Sequence, residues 1–174
     1  MAELVKQSLE NLINGIKQDP KNAAGVFEVT SVLGEGVSVS NAARQFTFKV
    51  DEPEVLGGKD QAPNPVEYAL ASLGACQAIT YRAVAALKDI QLDSVTVKTK
   101  GELDLRGFLG IDNEIRPGYQ KITFEAIVES EESTEKLERL AAQVEALCPV
   151  LDMLSNPVPV EGKLTVKKKT ALAE

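Results

Sequence analysis

From Leu4 to Ile16, apolar side chains recur at Val5, Leu9, Leu12, Ile13 and Ile16, the spacing that lines one face of a helix. The pattern predicts a short amphipathic helix ending near Asp19-Pro20, since proline cannot continue it. Across residues 25–50 the period becomes two: GVFEVTSVL, EGVSVSN and ARQFTFKV alternate apolar and polar positions. With Gly34-Glu35-Gly36 and Ser40-Asn41 read as turns, these runs form a three-stranded antiparallel meander. The following DEPEVLGGKDQAPNP, rich in proline, glycine and acids, reads as a loop.

From Pro65 to about Asp89 runs PVEYALASLGACQAITYRAVAALKD, apolar nearly all round, as expected of a buried central helix. Strand alternation returns in LDSVTVKTKGELDL and YQKITFEAIVES, separated by the glycine-rich RGFLGIDNEIRPG. The stripe Leu137, Leu140, Ala141, Val144 and Leu147 predicts a further helix from about Ser133 to Leu147, capped by Ser133 or Thr134. CPVLDMLSNPVPVEGKLTVKKK then reads as a short helix and a last strand. With no internal repeat or composition break, the expectation is an N-terminal helix over residues 1–20 and one α+β domain over residues 21–174.

Composition narrows the chemistry. The chain has 174 residues, 44% apolar and 5% aromatic, enough for one core built mainly of Val, Leu, Ala and Ile. No run approaches the roughly 18 uninterrupted apolar residues of a membrane span. The start MAELVKQSLENL carries Glu and Lys where a signal peptide is apolar, so a cytoplasmic protein without a membrane partner is expected. A net charge of -7 argues against nucleic acid, and the short run Lys167, Lys168 and Lys169 reads as a solvated strand end. The absence of histidine excludes His-based triads, His zinc sites and His general bases. Two cysteines do not complete a Cys-only zinc site in one chain, so no metal is expected. The thiols remain as redox groups, nucleophiles or inert packing; a reducing compartment disfavours a permanent disulfide between them but not a transient one.

Cys76 lies inside the apolar helix, preceded by Gly74 and Ala75. Burial alone raises a thiol pKa and makes the group inert, so a reactive Cys76 needs a cation reaching in from elsewhere. A core cysteine filling a gap is the competing reading. Cys148 precedes Pro149, which pushes it out of helical geometry and places it where one helix stops and PVLDMLS begins. Unpaired amides at such a start favour a thiolate, although a plain junction residue fits the same position. Two thiols within reach suit peroxide chemistry, because a sulfenic acid on one condenses with the other.

The segment NPVEYALASLGAC, with a second cysteine later in CPVLDMLSNPVPV, resembles the OsmC/Ohr superfamily. DEPEVLGGKDQAPNP resembles the corresponding loop of an OsmC-like branch distinct from the best-studied members, and the likeness runs from about Gly25 to Lys167. It implies an α+β fold with antiparallel sheets around a long buried central helix, assembled as an intertwined homodimer with two active sites at the subunit interface. It further implies a thiol-dependent peroxidase reducing organic hydroperoxides in oxidative or osmotic stress defence. Cys76 would attack the peroxide, Cys148 would resolve the sulfenic acid as a disulfide, and a dithiol reductant would regenerate both; no metal, flavin or haem is implied. The family's arginine on an early strand falls on Arg44, the sole arginine of the meander. Its guanidinium would stabilise the thiolate and polarise the peroxide oxygen.

The family's supporting glutamate is displaced, since its position holds Val66 and Glu67 stands one residue later. Other OsmC-like branches carry Pro-x-Glu at this shorter spacing. At about 100° per residue, Glu67 lies roughly 180° round the helix from Cys76. Asn64, Pro65 and Glu67 also spell a capping box, so Glu67 either caps the helix or partners Arg44 from its loosened start. Tyr81 is a candidate to line the pocket, with Arg82 read rather as a charge on a solvated strip and Asp152 as a surface carboxylate. Phe46, Phe48, Phe108, Leu109, Leu151 and Met153 would line an apolar pocket or serve as core. A second reading is a non-catalytic OsmC-like stress protein holding a small apolar ligand at the dimer interface. A cysteine hydrolase is discounted for want of a histidine base.

Overall fold

The computed structural model describes residues 2–168. Helix α1 (Ala2–Gln18) packs along a second, longer helix, and the Lys6 ammonium holds the Asp89 carboxylate at 2.6 Å across that contact. The helical periodicity is thus confirmed, although Leu4 and Leu12 remain exposed. Strands β1 (Thr30–Leu33), β2 (Val39–Ala43) and β3 (Phe46–Val50) form the expected antiparallel meander in that order.

Its second turn is not where the sequence suggested. Ser40 and Asn41 lie within β2, and the chain reverses at Arg44-Gln45, with Arg44 at φ 55°. Asn41 is tolerated in the strand because its amide is satisfied sideways. Ser31 Oγ donates to its Oδ1 (2.7 Å), and its Nδ2 donates to the Phe48 carbonyl oxygen (3.4 Å). Residues 25–29 stay outside the ladder, leaving Val26 and Phe27 89% and 93% exposed.

The proline- and glycine-rich loop is gathered around Asp51, whose buried carboxylate accepts the backbone N–H groups of Glu52, Lys59 and Gln61 at 2.9, 3.1 and 3.2 Å. It delivers the chain into α2 (Pro65–Leu87), which packs on β4 (Ser94–Leu103), the inner member of an antiparallel pair with β5 (Tyr119–Glu129). The glycine-rich excursion between them contains a single turn, α3 (Leu105–Phe108). Helices α4 (Thr134–Leu147, capped by Ser133) and α5 (Pro149–Ser155) close over α2.

The core joins Tyr81, Val84 and Ala85 of α2, the following Ile90 and Leu92, and Leu140 and Val144 of α4. Val95, Ala126 and Val128 pack against it from the sheet.

Two expectations change. Within this chain α2 keeps an uncovered strip: Leu73, Gln77, Tyr81 and Val84 are buried, while Ala71, Ala75 and Ile79 are exposed. Among the described residues it is the helix long and apolar enough to cross a membrane, but its buried ridge packs on protein. The last strand is absent among the described residues: 157–168 has no regular secondary structure and pairs with no strand, with Val158, Val160, Leu164 and Val166 exposed. A strand exists only by pairing, and no sheet edge of the same chain meets this segment. Lys169, the end of the basic run, lies outside the described residues.

Candidate thiol site

The two cysteines come together from different elements. Cys76 occupies the middle of α2 and is half-buried; Cys148 is 1% exposed where α4 ends and α5 begins. This reverses the burial suggested by the apolar sequence around Cys76. Pro149 fills the first position of α5, and Cys148 has the extended backbone (φ -78°, ψ 110°) that proline imposes on its predecessor. Both thiols are free. Burial, chiefly, pushes the Cys148 thiol up, and the neighbouring Cys76 thiol adds to the rise, while the Leu151 and Val150 N–H groups at the start of α5 oppose it.

Between α2, α5 and β5 lies a cleft of about 320 Å³ that neither cysteine lines, although Leu73 stands three residues before Cys76 and Leu151 three residues after Cys148. Leu73, Phe124, Leu151 and Leu154 give it apolar walls, and Arg116 and Lys121 place cations at its rim. Tyr119 also lines it and donates its hydroxyl to the Val66 carbonyl (2.9 Å), fixing the first turn of α2 to the sheet. Neither Arg116 nor Tyr119 was singled out in the sequence, where IRPG reads only as the end of a loop and Tyr119 as the first residue of a strand. Gln77, next to Cys76, was missed as well. It is 0% exposed, and neither its amide oxygen nor its amide nitrogen has a hydrogen-bond partner among the described residues.

Glu67 performs the capping role. The Asn64 N–H donates to Glu67 Oε2 (2.8 Å), and the Glu67 N–H donates to Asn64 Oδ1 (2.9 Å). Arg44 stands at the exposed tip of the β2–β3 hairpin, its guanidinium 5.2 Å from the centre of the Phe46 ring. Among the described residues it forms no ion pair, with Glu67 or otherwise.

Of the other candidates, Tyr81 is core, and half-buried Arg82 donates to the Leu92 carbonyl (3.3 Å) rather than standing on a solvated strip. Asp152 is an exposed carboxylate, as expected. The proposed apolar set is dispersed: Leu151 reaches the cleft, Phe48 packs against Tyr68 with the rings tilted, Phe108 lines a separate hollow, and Phe46, Leu109 and Met153 are about half exposed or more.

A family model described as OsmC-like protein matches residues 58–163. No curated protein matches the sequence. Among solved structures, the OsmC like protein from Mycoplasma pneumoniae is similar at a TM-score of 0.67 and 20% identity, over 76% of this chain and 89% of that one. The organic hydroperoxide resistance protein OsmC from Legionella pneumophila is similar at a TM-score of 0.58 and 20% identity, over 75% and 89%. An organic hydroperoxide resistance protein from Elizabethkingia anophelis gives a TM-score of 0.60 and 20% identity, over 77% and 91%. Antiparallel sheets packed with helices thus define an α+β protein of the architecture those structures share. The chain belongs to the OsmC-like family.

Proposed function

We propose that this protein is a thiol-dependent peroxidase that reduces organic hydroperoxides in the cytoplasm, as part of oxidative or osmotic stress defence. The observation that carries the reading is the meeting of two free thiols, one in α2 and one at the α4–α5 junction, near a cleft with apolar walls that Leu73 and Leu151 help to line. In the first step the Cys76 thiolate attacks the terminal peroxide oxygen; the S–O bond forms, the O–O bond breaks, and the alkoxide leaves and takes up a proton. In the second, the Cys148 thiolate attacks the Cys76 sulfur; the S–S bond forms, the S–O bond breaks, and hydroxide departs as water with the proton Cys148 gave up. A dithiol donor returns two electrons and two protons. The apolar walls favour an organic peroxide over hydrogen peroxide.

The working unit in this reading is a homodimer, supported by the exposed faces of the meander, of α2 and of residues 157–168. Arg44, exposed on its hairpin, is then offered to the thiol pair of a second copy, where it steadies the thiolate. The second reading, a non-catalytic dimer binding a small apolar ligand, is favoured by the commitment of Glu67 to the helix cap.

Thiol counting separates the two. The reduced protein, given one equivalent of cumene hydroperoxide, should lose both thiols, and the Cys76→Ser variant should keep its remaining one. Hydrogen peroxide should act more slowly, and Arg44→Ala should slow the organic reaction. Thiols that persist in the wild-type protein would exclude the enzyme.

A further inference from the structure

The two sulfurs that meet at this site differ in how they can be reached. Leu140, Val144 and Cys148 follow one another at single-turn spacing along α4 and its C-cap, and each is at most 1% exposed. A second copy docked on this fold covers surface and uncovers none, so Cys148 is at least as closed in the proposed dimer. Cys76 is half-buried on α2, between exposed Ala75 and exposed Ile79 of the uncovered strip. The part of Cys76 that remains open is the part that Cys148 does not cover.

A disulfide between the two is opened by a thiolate that approaches one sulfur in line, from the side opposite the sulfur it expels. For Cys148 every approach passes through packed protein. For Cys76 the approach lies on the open side, which a peroxide must already use to meet the same sulfur. Leaving-group chemistry pulls the other way, because the burial that holds the proton on Cys148 also makes it a reluctant thiolate to expel. Access decides the contest. A closed approach stops the reaction, whereas a reluctant leaving group only slows it, and the Val150 and Leu151 N–H groups beside the Cys148 sulfur offset part of that reluctance.

We propose that regeneration runs through Cys76: the dithiol donor attacks the Cys76 sulfur, and the buried Cys148 is the group expelled. The inference rests on the peroxidase reading given above. In the first step a bond forms between the donor sulfur and the Cys76 sulfur, the bond between the two cysteines breaks, and Cys148 leaves as a thiolate that takes up a proton. In the second, the donor's other thiolate attacks the donor's first sulfur; the donor closes to its own disulfide, its bond to Cys76 breaks, and Cys76 leaves as the thiolate. The donor has then given up two electrons and two protons, and the enzyme has gained them. Peroxide and donor thus use one approach in turn, and Cys148 meets neither.

The test uses the full-length wild-type protein, oxidised with one equivalent of cumene hydroperoxide and then given mercaptoethanol, a monothiol that performs only the first step. Acid stops the reaction while most of the disulfide is still closed, free thiols are capped with maleimide in denaturant, and mass spectrometry reads the Cys76 and Cys148 peptides. Mercaptoethanol should sit on Cys76 and maleimide on Cys148, in an excess on the order of 10-fold or more over the reverse pairing, since access governs which sulfur is attacked. Equal shares, or an excess of the reverse pairing, overturn the inference and leave the peroxidase intact, because the disulfide has formed. A second measurement reads access directly: in the folded Cys76→Ser variant, Cys148 should resist iodoacetamide until urea unfolds the chain. Alkylation of the folded variant at the unfolded rate overturns the inference as well. A wild-type protein that cumene hydroperoxide leaves with both thiols overturns the peroxidase reading and this inference with it.

Discussion

At Cys148, burial opposes the amides of α5, and burial prevails, so the thiol holds its proton beyond the ordinary range. In the proposed cycle this sulfur must ionise to close the disulfide, so the rate of closure should climb with pH through and past the usual thiol value of about 8.5. A plateau at that value, seen in single-turnover thiol loss from pH 6 to 10, would contradict the burial argument. Stability moves the opposite way: the unfolded thiol ionises first, so the folded state loses ground as pH rises from the unfolded value to the raised folded one. Glu67 gives a second residue-scale prediction. Glu67→Ala should cost about 1 kcal/mol in urea unfolding by removing half of the capping box, and Glu67→Gln should retain most of it. That box was legible as Asn64, Pro65 and Glu67 in sequence order, and so was the extended Cys148 before Pro149. Gln77 and Arg116 were not: their places depend on which helix ridge turns inward and which loop folds over the cleft, neither of which a local pattern records.

Elements are held in place by a few side chains that span between them. Asp51 organises the loop feeding α2, and the Glu52 N–H, foremost among its donors, keeps its carboxyl below the usual aspartate range. A folded value below the unfolded one gives stability that is present above about pH 3.9 and lost as pH falls through the lowered value. Asp51→Asn should therefore melt earlier than the wild type at pH 7, with the gap narrowing at pH 2–3. Gly101 and Tyr119 tie the sheet to the start of α2. A Cβ on Gly101 would overlap the Tyr119 ring, so Gly101→Ala displaces the ring and breaks its hydroxyl bond to the Val66 carbonyl. The expected loss is about 1–3 kcal/mol, against about 1 kcal/mol for Tyr119→Phe, which removes the hydroxyl alone; chemical unfolding of both variants checks it. Element types were legible wherever the period was long: α1, α2, α4, β4 and β5 lie where hydrophobic spacing put them. The meander's second turn was displaced because Asn41 is a turn former by type but satisfies its amide across strands. The final strand was displaced because alternation supplies a strand's faces without supplying its partner.

The chain exposes 13593 Å², whereas a compact monomer of its mass exposes roughly 8300 Å². An excess of that size, with Val32, Leu33, Ile79, Val160 and Leu164 each more than half exposed, fits the large apolar interface of an obligate dimer. Sedimentation velocity should give about twice 18.7 kDa, and Leu33→Asp should shift the protein toward a less stable monomer. The proposed dimer carries a sharper consequence for Arg44, whose exposed hairpin tip supports action on the opposite subunit. Subunits carrying Cys76→Ser have an intact Arg44, and subunits carrying Arg44→Ala have an intact Cys76. In a mixed dimer an arginine acting across the interface rebuilds one complete site, so cumene hydroperoxide should oxidise the surviving Cys76 at the wild-type rate. An arginine acting within its own subunit leaves that Cys76 without a guanidinium, and the mixed dimer then reacts as slowly as the Arg44→Ala protein. Refolding the two variants together and following thiol loss in single turnover separates these cases.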